Sequence, residues 1–168
     1  MDEKLVKKTE KSRDELLASA QTLGISILSH SSDDAVLPDS GFAPFIRQNG
    51  QFYIYSSRLS SHIRSLIDGQ PAQFFLIADE GVSQNIWARV RLKFTARTTV
   101  IARDADNFQQ ILDKIGAAHG PVMDLIRDFT DFHLFEITPE RGTLVTGFAA
   151  AFEVEGPDFN LIAHLTQG

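Results

Sequence analysis

Two groups of basic and hydroxyl side chains are the first candidates for chemistry. The segment QFYIYSSRLSSHIRSL, from Gln51 to Leu66, reads as a strand over Phe52 to Tyr55, a serine-rich turn and a short helix. It carries Ser57, Arg58, Ser61, His62 and Arg64. The segment IWARVRLKF alternates: Ala88, Val90, Leu92 and Phe94 fall on one side of a strand, Trp87, Arg89, Arg91 and Lys93 on the other. A rise of about 3.3 Å per residue would set the three cations within roughly 13 Å on one face. Guanidinium groups so placed suit a carboxylate or phosphate, which they bind in a planar two-point geometry. The competing reading is the solvated outer face of an ordinary strand. His62, between Arg58 and Arg64, would hydrogen-bond the same anion; otherwise it is a plain surface histidine.

In a chain of net charge -6 these basic groups stand out, and the acidic balance argues against general nucleic-acid or membrane-surface binding. No cysteine is present, so thiolate nucleophiles, cysteine-ligated zinc, iron–sulfur clusters and disulfides are excluded. There is no glycine-rich phosphate loop, no Gly-x-Ser-x-Gly and no His-Glu-x-x-His. His30, His119 and His133 lack partners at metal-site spacing and read as structural, and no metal ligand is assigned. No apolar stretch has the length of a signal peptide core or a bilayer span, so the cytoplasm is the expected compartment.

The elements that must position the candidates read mostly as strands. The 168 residues are expected to form one domain over 1–168. An amphipathic helix is expected over about 3–20, with strands at 24–30, 40–47 and 52–55. SSDDA (31–35) reads as a turn, and Gln48-Asn49-Gly50 as a hairpin turn. A helix over 61–67 capped by Ser60 or Ser61, a buried strand over 72–78 and a long strand over 86–101 follow. Helical spacing returns in an insertion at about 105–130. There Phe108, Ile111, Leu112 and Ile115 share a face, Asp104 or Asp106 is the expected cap, and Pro121 opens a second helix over 122–129. Strands are expected at 132–138 and 143–154, with a turn at Pro139–Gly142 between them. The tail offers Phe159, Leu161, Ile162 and Leu165 for docking. Six to seven mainly antiparallel strands with peripheral helices predict a mainly β fold, a closed barrel.

The order of an SGFAPF strand (40–45), FYIY, a Ser-Arg-x-x-Ser-His helix, a hydrophobic strand and Arg-x-Arg resembles the FMN-binding split barrels related to pyridoxamine 5′-phosphate oxidase. ARVRLKF (88–94), DFHLFEITPERGTLVTGFAAAFEV (131–154) and HLTQG (164–168) narrow the resemblance to the HugZ/HutZ-type haem-utilisation, haem-degrading branch. It covers the chain from about residue 20 to 168.

The resemblance implies a homodimer of split barrels with a small anionic cofactor, haem or FMN, at the subunit interface. In the flavin branch the phosphate-holding positions match Ser57, Arg58, Ser61 and His62. His62 stands where a lysine is usual, and Arg47 is the nearest match for the basic residue of the preceding strand. In the haem branch the helix histidine, the second arginine of ARxR and a strand aspartate match His62, Arg91 and Asp131. Asp131 would orient an iron-ligating histidine of the other subunit. That histidine lies on a C-terminal extension in the branch; the sequence in hand ends at Gly168, one residue short of it, and His164 aligns elsewhere. Three functions therefore stand: a haem-binding protein of the haem-degrading type, an FMN-binding oxidoreductase, or a non-catalytic cofactor-binding barrel. If the chain is an enzyme, it is an oxidoreductase, either haem oxygenase-like or flavin-dependent.

Overall fold

A computed structural model describes residues 2–30 and 33–165. Part of the expected 31–35 turn and the last three residues of the tail lie outside them. The order is α1 (Glu3–Ser19), β1 (Thr22–His30), β2 (Val36–Gln48), β3 (Gln51–Ser57), α2 (Ser61–Ile67), β4 (Ala72–Ile77), β5 (Arg91–Ile101), α3 (Phe108–His119), α4 (Val122–Ile126), β6 (Phe132–Gly147), β7 (Ala150–Glu155) and β8 (Asn160–Leu165). No described helix is long and apolar enough to cross a membrane.

The strands form one antiparallel sheet in the order β3-β2-β1-β4-β5-β6-β7-β8, and β3 also pairs with β6. That second pairing runs from Phe52 opposite Ile137 to Ser57 opposite Phe132 and closes six strands into a barrel. The far half of β6 leaves the ring to pair with β7, and β8 follows. Asn49 and Gly50 both adopt positive φ (51° and 80°), the backbone that a two-residue hairpin between β2 and β3 requires.

The barrel is filled by phenylalanines. Phe52 stacks on Phe94 at 5.4 Å and Phe94 on Phe74 at 5.7 Å, while Phe159 meets Phe94 edge-on at 5.0 Å. Leu16 of α1 and Ile63 and Leu66 of α2 join the same core. On β3, Phe52 and Ile54 face this interior, but Tyr53 and Tyr55 are buried too. They lie in a second core under α3, with Phe108, Ile111, Leu112, Ile115 and Met123. The helical insertion therefore buries the outer side of the strand that leads into the candidate site.

Several expected boundaries are corrected. The strand expected over 86–101 begins only at Arg91, because Ile86–Ala88 forms a 3-10 turn whose Asn85 side chain accepts from the Trp87 N–H at 3.0 Å. Trp87 and Arg89 thus leave the face that Arg91 and Lys93 share. Arg89 Nε donates to Ala78 O at 3.0 Å and Nη1 to Glu80 Oε1 at 2.9 Å, so the row of three cations is a pair. Pro139–Gly142 is no turn: β6 runs through it, with a register shift against β5 between Thr95 and Ala96. Gly142 is required there by close approach, since a Cβ would lie 2.4 Å from Lys93 O. The reversal falls instead at Phe148–Ala149, with Ala149 at φ 53°, which joins β6 to β7 as a hairpin. Neither Ser60 nor Asn107, the residues preceding α2 and α3, makes a side-chain capping bond, and α4 ends at Ile126.

The aromatic stack should dominate stability. Phe94→Ala is expected to cost about 3–5 kcal/mol in urea unfolding, against about 0.5 kcal/mol or less for Phe148→Ala at the exposed hairpin tip.

Candidate functional site

β3 ends at Ser57 directly opposite the start of β6, and this junction fixes the first group of candidates. The Arg58 N–H donates to Asp131 O at 2.8 Å, and Ser57 Oγ donates to Asp131 Oδ2. Ser57 Oγ also accepts the Leu59 N–H at 3.1 Å. Arg64 Nη1 donates to Arg58 O and Leu59 O at 3.0 and 2.9 Å, which holds the serine-rich turn onto α2. Arg58 itself is exposed. One residue into the helix, Ser61 Oγ donates to Asp39 Oδ2 on β2, while Asp39 Oδ1 accepts the Ser40 N–H at 2.8 Å. His62 Nδ1 lies 3.9 Å from Asp39 Oδ2. The His62 ring rests on Gly41, where a Cβ would fall 2.2 Å from Cε1.

Ser57 and His62 line a cavity of about 440 Å³ between β2, β3, α2 and the α3–α4 pair. Its walls are chiefly apolar, with Phe42, Ile63, Met123 and Phe132 among them. His119 also lines it, but its Nε2 is paired with Phe45 O at 2.7 Å. His133 Nδ1 is paired with Asp131 O at 3.2 Å, so both keep the structural reading.

The second group lies on the outer sheet face. Phe42, Gly24, Phe75, Lys93 and Thr143 stand opposite one another across β2, β1, β4, β5 and β6. Ile77, Arg91 and Val145 form the next row. Gly24 lacks a side chain because the Phe75 ring occupies its place, 2.2 Å from where a Cβ would be. Phe42, Phe75 and Ile77 are 71%, 38% and 44% exposed, a large apolar area for a sheet face. Arg91 donates only to Arg89 O, and neither Arg91 nor Lys93 has an ion-pair partner among the described residues. With Phe75, Ile77 and Val145 they line a groove of about 370 Å³.

Within one chain the two groups do not share a cavity: His62 and Ser57 face one, Arg91 and Lys93 the other. Phe42 lies between, on the rim of the first cavity and on the sheet face beside Phe75. The chemistry of each is distinct. Free cations beside exposed apolar side chains suit a large flat ligand with carboxylates, and haem propionates on an apolar ring fit that donor set. The serine group is different. Both expected phosphate-binding hydroxyls already donate to carboxylates, and a phosphate there would face Asp39 and Asp131. Arg47 is likewise occupied, with Nη2 at 2.9 Å from Asp158 Oδ1 and 2.8 Å from Pro157 O.

Asp39 and Gly41 escaped the sequence reading. Asp39 lies just before the strand expected over 40–47 and Gly41 within it, and nothing in the spacing announces that β2 carries them beneath α2.

No family model matches the chain. The closed antiparallel sheet with peripheral helices is that of the pyridoxamine 5′-phosphate oxidase-like split barrels. A protein related to general stress protein 26 from Clostridium acetobutylicum, described as of the pyridoxinephosphate oxidase family, has this fold. It superposes with a TM-score of 0.61 at 13% identity, over 92% of this chain and 96% of that one. Within that class, heme oxygenase HutZ of Vibrio cholerae is 30% identical over 131 residues, 78% of this chain and 74% of the relative. The chain belongs to the HutZ-type haem-utilisation branch of the split barrels. The crystal structure of HutZ from Vibrio cholerae, described as a heme storage protein, superposes with a TM-score of 0.67 at 25% identity, over 85% and 94% of the two chains. Campylobacter jejuni ChuZ gives 0.77 at 23% identity over 94% of this chain, which spans 63% of that longer one.

The hydrogen bond from Ser61, helped by the Ser40 N–H and then by His62, holds the Asp39 carboxyl below its ordinary value of 3.8. A depressed folded-state value contributes stability that is present above pH 3.8 and is lost as pH falls through the lower folded value. The melting temperature of the wild type should therefore fall more steeply below about pH 4 than that of Asp39→Asn, which has no carboxyl to titrate.

Proposed function

We propose that this chain binds haem at a site completed by a second copy, as a haem-utilisation protein of the haem-degrading type. The observation that carries the proposal is the outer face on which unpaired Arg91 and Lys93 adjoin exposed Phe42, Phe75 and Ile77. An amphipathic carboxylate ligand meets both needs at once, and the apolar area beyond it is suited to a partner chain. The HutZ relatives, named for heme oxygenase activity and heme storage, support the same ligand.

In this reading Arg91 and Lys93 take the propionates, while Arg89 acts indirectly by holding the loop before β5. The cavity of Ser57 and His62 accepts part of the ligand from the other copy. Asp131, with Oδ2 tied to Ser57, keeps Oδ1 without a hydrogen bond among the described residues and so can orient a donor. When bound, haem would supply oxygen-dependent ring opening, and the protein the pocket, the propionate contacts and the proton positions. A homodimer is the setting, with the cytoplasm as its expected compartment.

FMN is the second reading, from the split-barrel class. Its phosphate, with about two negative charges, would have to displace Ser57 and Ser61 from two carboxylates. That charge arrangement favours haem.

Hemin titration followed in the visible spectrum should give a saturable Soret band, and oxygen with ascorbate should bleach it slowly. Arg91→Ala is expected to weaken hemin binding about tenfold, the equivalent of about 1.4 kcal/mol. Equal affinity in the variant removes the role given to Arg91. Diffuse hemin association, with FMN retained through gel filtration, moves the assignment to a flavin protein.

A further inference from the structure

His62 differs from the other cavity histidine in what its ring nitrogens touch. His119 spends Nε2 on Phe45 O, whereas no hydrogen bond to His62 forms among the described residues. Its ring is nevertheless fixed on two sides. Gly41 packs against Cε1 and Nε2, where a Cβ would lie 2.2 and 2.4 Å away, and Asp39 Oδ2 stands 3.9 Å from Nδ1. Asp39 is in turn held from both ends, by Ser61 Oγ on one oxygen and the Ser40 N–H on the other. Both are donors, so they hold the carboxylate in its charged, acceptor-only form. The Asp39 carboxyl lies below its usual range for the same reason, chiefly through Ser61.

From this geometry we infer that Asp39 is the positioning residue for His62: it keeps the ring proton on Nδ1, so that Nε2 is presented as a proton acceptor. At 3.9 Å the contact is in ion-pair rather than hydrogen-bond range, but a fixed carboxylate still favours the tautomer whose N–H faces it. Nε2, which lies beside the open backbone of Gly41, is then the nitrogen without the proton. Through Nε2, a neutral His62 so arranged does not donate to a ligand carboxylate. It accepts from an N–H or O–H group, such as an ordered water or a donor on the ligand. His62 is thereby separated in kind from Arg91 and Lys93, which recognise anions. The inference rests on the proposed site only in the use to which Nε2 is put; the tautomer is a property of the protein without haem.

The test is long-range proton–nitrogen NMR of the full chain labelled with 15N-histidine, without haem and at a pH where imidazole is neutral. His62→Gln identifies the signal. The wild type should show His62 protonated on Nδ1 with a bare Nε2. Asp39→Asn, whose amide can donate to Nδ1, should lower the Nδ1–H fraction at least threefold. Ser61→Ala removes the tether but keeps the carboxylate, and should preserve the tautomer. A wild-type ring protonated on Nε2 overturns the inference without any variant. So does an unchanged ratio in Asp39→Asn, or an equal loss in Ser61→Ala, which would mark Asp39 as a mere tether of α2. Hemin affinity is measured separately, so loss of haem binding with the tautomer intact would fault the proposed function alone.

Discussion

The pairing of β3 with β6 is the constraint on which the rest of the structure depends. Without it the strands form an open sheet with β3 as a bare edge, and the phenylalanine core loses one wall. With it, both faces of β3 are buried, Phe52 and Ile54 inward and Tyr53 and Tyr55 under α3. Register in such a strand is strictly held, because a slip of one residue would exchange the two sets. The same register sets Ser57 opposite Phe132, next to Asp131. The first contact of the candidate site is thus the last rung of the ladder that closes the barrel.

β6 also joins the two halves of the site. Its first six residues close the barrel beside Ser57, and its second half backs the face bearing Arg91 and Lys93. The bulge between Thr95 and Ala96 lies between these stretches, so one continuous strand serves two directions of the sheet. A single copy therefore holds both kinds of chemistry at fixed positions yet in separate cavities. The second copy of the proposed function would bring them together.

The sequence disclosed what depends on periodicity and on turn chemistry. The Asn49-Gly50 hairpin, the buried face of α3 and the helix over 61–67 follow from residue spacing that few other structures tolerate. It misled where a residue type has two uses. Pro139 and Gly142 have turn composition but lie in mid-strand, Gly142 because the Lys93 carbonyl comes close. The alternation through Arg89 is genuine in the sequence, but the Asn85 side chain bonds the backbone locally and the strand starts at Arg91 rather than at Ile86. Of the site, Ser57, Ser61, His62 and Asp131 were legible as residue types, and their mutual hydrogen bonds were not. Asp39 reaches His62 only through the pairing of distant segments, which spacing along the chain does not encode.

The hydroxyls decide how a ligand can lie. A serine hydroxyl has one proton to give, and those of Ser57 and Ser61 are given to Asp131 and Asp39. What these serines retain for a ligand is acceptor capacity, beside two carboxylates and an imidazole. The carboxylate partners of these serines disfavour an anionic edge at the hydroxyls themselves, although exposed Arg58 stands in the same turn. Arg91 and Lys93 offer donors alone, beside apolar side chains, and attract that edge. In the proposed dimer, a ligand with carboxylates at one margin and an apolar, weakly donating body would be oriented by this polarity, with its anionic margin at β5 of one copy and the rest toward α2 of the other. A phosphate ester anchored at α2 would lie the opposite way, against both sets of charges.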